Sequence, residues 1–208
     1  MSHPQQIFFV ANCARNLASY FYEKKVLEVG SLNINGSVRQ FFEGCDYLGL
    51  DVAEGRDVDL VCKGEDYGAP ASSFDVVISS EMFEHNRNYA KCWLNMLRMM
   101  REDGLLIFTC ATTGRRQHGT TKYQPQASPL TVAADDEYYK NLTETDFTSV
   151  VVMDAFFSVW SFFEDRTSHD IYFMGVGSRA PQARQVEAQA LINVFREYYY
   201  QKNVLGEY

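Results

Sequence analysis

Residues 25–51, KVLEVGSLNINGSVRQFFEGCDYLGLD, restrict the fold more than any other stretch of the chain. Val26, Leu27 and Val29 form a short apolar run that predicts a buried strand. A loop of small residues follows, with Gly30, Ser31, Asn33, Asn35, Gly36 and Ser37. The segment 37–42 predicts a helix, and 47–50 a second apolar strand that ends on Asp51. Strand, small-residue loop, helix, strand and acid make the front half of a nucleotide-binding α/β unit. In such units a glycine lets a ligand approach the backbone, and a carboxylate about 20 residues on holds a ribose diol.

The rest of the chain continues the alternation. Residues 5–23 carry apolar side chains at helical spacing and predict a helix beside the first strand. Short strands are predicted at 57–62 and 74–79, the latter apolar enough to be buried on both faces. A helix is expected over 81–100, then a turn at Asp103-Gly104 and a fifth strand at 105–110. Residues 111–137 form a long polar interruption, a length typical of lids and binding loops. Thr143 is placed to cap a short helix at 144–147. Residues 150–163 and 170–177 predict an antiparallel pair at the sheet edge, and 182–201 a closing helix. The expected architecture is a doubly wound, Rossmann-like sheet of seven mostly parallel strands with an antiparallel edge strand and helices on both faces. It forms one domain over 1–208: an N-terminal helix (1–24), a binding core (25–114) and an acceptor-side remainder (115–208).

Composition narrows the partners. With 208 residues the chain can bury a full core, and no apolar run reaches membrane-spanning length. A net charge of −8 argues against a broad nucleic-acid footprint. Five widely spaced cysteines and the absence of a secretory signal pattern point to reduced thiols in the cytoplasm. No compact ligand spacing suggests a metal site, His169-Asp170 included.

Four segments in register, VLEVGS (26–31), LGLDV (48–52), FDVVISSEMFEH (74–85) and EDGLLIFTCATTG (102–114), resemble the successive motifs of class I S-adenosylmethionine-dependent methyltransferases. The likeness is nearest to small bacterial and phage-borne members with a GSLNINGSVR-like first loop. It implies S-adenosylmethionine as cofactor and S-adenosylhomocysteine as product. Glu28, Gly30, Ser31, Asn33, Gly36 and Ser37 would cradle the methionine part, Asp51 the ribose and Val52 the adenine. Ser79, Ser80 and Glu81 would line the sulfonium end. Relatives carry an acid near the adenine after the third strand, where this chain has Lys63 with Glu65 and Asp66 close behind; Glu65 is the candidate contact, and which of the three meets the adenine stays open.

On the acceptor side, His118 in the long loop and His85 after the fourth strand are the candidate proton-handling groups. Arg115, Arg116 and Tyr139 are the candidate acceptor contacts. The expected acceptor is an oxygen or nitrogen of a small molecule or glycan, with no nucleic acid and no membrane. The tyrosine-rich C-terminal helix offers a surface for a homodimer. Two rival readings are a non-catalytic cofactor-binding subunit acting through a partner and an NAD-linked oxidoreductase. The missing G-x-G-x-x-G counts against the second, because pyrophosphate needs close backbone approach.

Overall fold

In the computed structural model, which describes residues 3–206, seven strands form one sheet. They are β1 (Lys25–Val29), β2 (Asp46–Asp51), β3 (Leu60–Val61), β4 (Phe74–Ser80), β5 (Met100–Ala111), β6 (Phe157–Asp165) and β7 (Asp170–Gly177). Their spatial order is β3-β2-β1-β4-β5-β7-β6. The first five run parallel, and β7 enters antiparallel to both β5 and β6. The expected antiparallel pair therefore closes the edge, with β7 inserted between β5 and β6. The chain reverses its winding at β1, where Val29 lies level with Leu50 on one side and Ser79 on the other. That register brings the tips of β1, β2 and β4 to one point on the carboxyl edge, where ligands bind in sheets of this kind.

Side-chain alternation splits the core into two layers. Val26, Val76, Ile78, Leu105 and Ile107 face α1 (Pro4–Asn16) and α5 (Gln182–Tyr200). Leu27, Val77, Leu106, Phe108 and Phe173 face α2 (Tyr89–Met99) and the short α4 (Glu144–Thr148), which carries Phe147 into the same cluster. Near-continuous apolar strands are what two covered faces require. Thr143 caps α4 as expected, with its backbone amide and hydroxyl both on Asp146 Oδ2 at 2.9 Å. On its outer face α5 leaves Val186 and Val194 exposed. Among the described residues no helix is long and apolar enough to cross a membrane.

Four elements differ from expectation. The helix predicted at 37–42 is a single 3-10 turn, Val38–Phe41. Ser37 Oγ takes the Arg39 amide at 3.1 Å, and left-handed glycines at 36 and 44 bound the segment. The helix predicted at 81–100 is broken into a 3-10 turn, Phe83–His85, and α2. Asn86 Oδ1 accepts the Asn88 amide at 2.7 Å, a local bond that competes with helical pairing. At 103–104 the chain does not turn out of the sheet. The β4–β5 pairing jumps from Phe74–Met100 to Val76–Leu105, so that 101–104 bulge from a strand already begun. The strand expected from 150 likewise starts late, after a 3-10 turn at Met153–Ala155.

Candidate active site

At the tips of β1, β2 and β4 lies a cleft enclosing about 840 Å³, its open mouth included. Gly30 follows β1 with φ +82. A Cβ built there would stand 2.5 Å from the Met82 side chain, so glycine is what allows the β1 and β4 tips to close together. Asp51 ends β2 and lines the cleft. Its Oδ2 accepts the Leu32 amide at 2.9 Å and its Oδ1 the Val52 amide at 2.8 Å, so the carboxylate is fixed by backbone on both oxygens. Leu32, Ile34, Leu50 and Val52 form the apolar wall around it.

The opposite wall is Glu65, held by Asn86 at 2.8 Å and Asn88 at 3.1 Å. Ser80, Glu81 and His85 form the floor at the end of β4. Glu81 takes the left-handed backbone conformation (φ +54) and accepts Thr109 Oγ1 at 3.0 Å. Part of the 111–137 interruption covers the cleft: Ala127 to Thr131, including the start of the short helix α3 (Pro129–Ala133), line it from above. Lys63 pairs with Asp136 at 2.6 Å and ties the β3 loop to this cover. The length of the 111–137 interruption was the sequence signal for the cover, whereas the Asn86 and Asn88 supports carried none, because they act only once distant loops meet.

Several residues expected at the cofactor lie off the cleft. Asn33 folds the first loop on itself, accepting the Gly36 amide at 2.9 Å and donating to Asp57 at 2.6 Å. Gly36 and Ser37 lie in that same self-bonded turn. Ser79 Oγ donates to Val29 O at 2.8 Å and pins β4 to β1. Ser31 is buried against Gly49, whose added Cβ would lie 2.6 Å from its Oγ. Glu28 points to the other face, where it accepts Tyr47 Oη at 2.8 Å. The loop thus turns its apolar members, Leu32 and Ile34, to the cleft and spends its polar ones on its own shape.

Residues 27–108 match the family model of a methyltransferase domain. That match spans less than half of the chain. A comparison with curated proteins returns no match. Solved methyltransferases share the fold. The Burkholderia thailandensis 1,6-didemethyltoxoflavin-N1-methyltransferase superposes with a TM-score of 0.52 at 12% identity, over 86% of this chain and 92% of that one. The Haemonchus contortus phosphoethanolamine N-methyltransferase 2 gives 0.56 at 13%, over 85% of this chain and 53% of the other. NodS of Bradyrhizobium japonicum gives 0.51 at 14%, over 85% and 98%. At such identities the likeness is one of fold.

Beside the cleft, His85, His118 and Tyr139 form a ring cluster with centroids 4.9–5.6 Å apart. Burial, and then His118, pushes the His85 imidazole down to about 3. Burial lowers His118 as well. Both rings are neutral at pH 7, and their weakened basicity makes them poor general bases. Burial, and next to it the charge of Glu81, drives the Glu84 carboxyl well above the usual carboxylate range. Arg115 does not reach the cleft. Its guanidinium is held by Ser168 O at 2.6 Å and the buried Asp170 at 3.2 Å, with His3 on the other side of Asp170 at 3.0 Å. Arg116 is exposed and contributes its carbonyl to His118 and Tyr139. The expected contact of Arg115 to an acceptor is therefore replaced by an internal ion pair.

Glu28 makes the pH dependence of stability testable. Burial pushes its carboxyl up from 4.5 to about 8, against the opposing pull of Tyr47 and Arg39. The folded state keeps a proton that the unfolded chain loses, so stability falls as pH rises through that window and levels off above it. Glu28→Gln keeps a neutral acceptor for Tyr47. It is expected to flatten this limb of the melting curve against pH and to be more stable than wild type at pH 8 by on the order of a few kcal/mol. Parallel curves for the two proteins would rule the buried neutral carboxyl out.

Proposed function

We propose that the chain transfers a methyl group from S-adenosylmethionine to an oxygen or nitrogen of a small molecule or glycan at the cleft mouth. The observation that carries this reading is the immobilised Asp51 carboxylate inside an apolar cleft. Two backbone amides fix its direction, and its remaining lone pairs suit a ribose diol. Leu50 and Val52 offer the apolar slot that an adenine needs. Gly30, Asp51, Val52, Glu65, Ser80 and Glu81 would hold the cofactor, which supplies a methyl group activated on a sulfonium. Acids at the floor and far wall suit a ligand that carries positive charge. The chain's own contribution is alignment of the acceptor and exclusion of water by the cover over 127–131.

The dinucleotide alternative loses ground in the loop after β1. A pyrophosphate is held by the N-terminus of a full helix, and this loop leads only into one 3-10 turn. The acids of the cleft would also repel it. Thermal unfolding with S-adenosylmethionine, S-adenosylhomocysteine and NAD in parallel tests the choice. A ligand at ~100 times its dissociation constant stabilises by about 2.7 kcal/mol, which is roughly 5–10 °C for a chain of this length. The expected result is a shift with both sulfur ligands and none with NAD. A shift with NAD alone, or none with millimolar sulfur ligands, overturns the reading.

A further inference from the structure

Directly behind the cleft floor, Glu84 is completely buried and neither of its carboxylate oxygens meets a hydrogen-bond partner. A buried polar group without a partner is costly, and a buried carboxyl far more so unless something compensates it. The next residue, His85, is also buried, and its Nδ1 has no partner either. His118 comes from the loop that follows β5. One potential ligand atom each of Glu84, His85 and His118 lies within 4.8 Å of the others.

The tautomer of His118 is decided by its surroundings. Its Nδ1 lies 3.0 Å from the Arg116 carbonyl, which can only accept, so Nδ1 carries the proton and Nε2 keeps its lone pair. A histidine whose second nitrogen donates to a backbone carbonyl is oriented in the manner of a metal ligand. Gly119, at φ +64, makes room for this arrangement. A Cβ there would stand 2.5 Å from the His85 ring. The second acid–histidine group, His3, Glu81 and Asp170, is different: Asp170 is satisfied by Arg115 and His3, and Glu81 by Thr109.

We propose that Glu84, His85 and His118 bind a divalent first-row transition-metal ion at the acceptor side of the cleft. Two imidazoles and one carboxylate match the ligand preference of such ions. Three protein ligands leave a coordination position open. His85 lines the cleft, so an ion held by it would border the space that an acceptor would enter. Resting on the methyl-transfer reading above, this deepens it to an acceptor with a hydroxyl oxygen. An oxygen ligated to such an ion would lose its proton to water more readily than a free one.

The test is a titration of the metal-freed protein with Mn²⁺, Co²⁺ and Zn²⁺ in turn, by calorimetry and by the Co²⁺ absorption spectrum. Wild type is compared with Glu84→Gln and His118→Ala, and the melting temperature of each variant is recorded. S-adenosylhomocysteine binding is measured separately on the same samples. The expected result is one saturable site per chain in the wild type, with a Co²⁺ spectrum changed by both substitutions and affinity at least tenfold weaker in each folded variant. No saturable binding of any of the three ions, or binding indifferent to both substitutions, overturns the site. S-adenosylhomocysteine binding without metal binding removes the metal and leaves the methyltransferase reading. Metal binding without S-adenosylhomocysteine binding does the reverse.

Discussion

Asp51→Ala is expected to weaken S-adenosylhomocysteine binding by roughly 100-fold or more. Two charge-assisted hydrogen bonds to a diol are worth about 3 kcal/mol together, and 1.4 kcal/mol is a factor of ten. The same substitution strips the partner from the Leu32 and Val52 amides, which loosens the loop that forms the apolar wall. Asp51→Asn separates the two effects. Its amide oxygen can still accept one backbone N–H, while its NH₂ faces the other donor, so affinity is expected between wild type and Asp51→Ala. Calorimetric titration of the three proteins, with melting temperatures alongside, measures this. Affinity within threefold of wild type in Asp51→Ala would remove Asp51 from the ligand site.

For stability, the largest loss is expected at Trp93 on α2. The ring is fully buried and meets Phe108, Phe147, Phe157 and Phe173 at centroid distances of 5.7, 5.7, 6.4 and 5.5 Å. Truncating such a side chain leaves a cavity that a close-packed interior fills only in part. Trp93→Ala is expected to cost about 3–5 kcal/mol, a fall in melting temperature of roughly 6–20 °C. The indole Nε1 has no partner, so part of what packing contributes is offset by an unsatisfied donor. Trp93→Phe removes that donor and keeps most of the ring contact. Its cost is expected near 1 kcal/mol. Urea unfolding of both variants measures the contrast, and equal costs would show that the ring contacts kept by phenylalanine do not carry the stability.

The sheet could be read from the chain because parallel strands covered on both faces must be apolar almost throughout. The runs at 26–29, 47–50, 74–79 and 105–110 accordingly became β1, β2, β4 and β5, with small shifts at their ends except at the start of β5, which begins five residues early at Met100. The helix pattern was less reliable wherever side chains bond to nearby backbone. Ser37 and Asn86 each replace helical pairing with a local hydrogen bond, and periodicity carries no trace of that competition.

Function divides along the same line. The order of residues alone determined the winding of the sheet, the position of Gly30 at the first tip and the arrival of Asp51 at the second. All three follow from local patterning and from the switch point that alternation creates. Only the tertiary structure decided which polar residues are free for a ligand. Asn33, Ser37, Ser79 and Arg115 look available as letters and are consumed by partners inside the fold. Glu84 looks like an ordinary acid beside a helix and is left in the interior with nothing bonded to it. Hydrogen-bond capacity is settled between residues far apart in the chain, so the sequence could name the edge on which the site lies and the fold had to select its members.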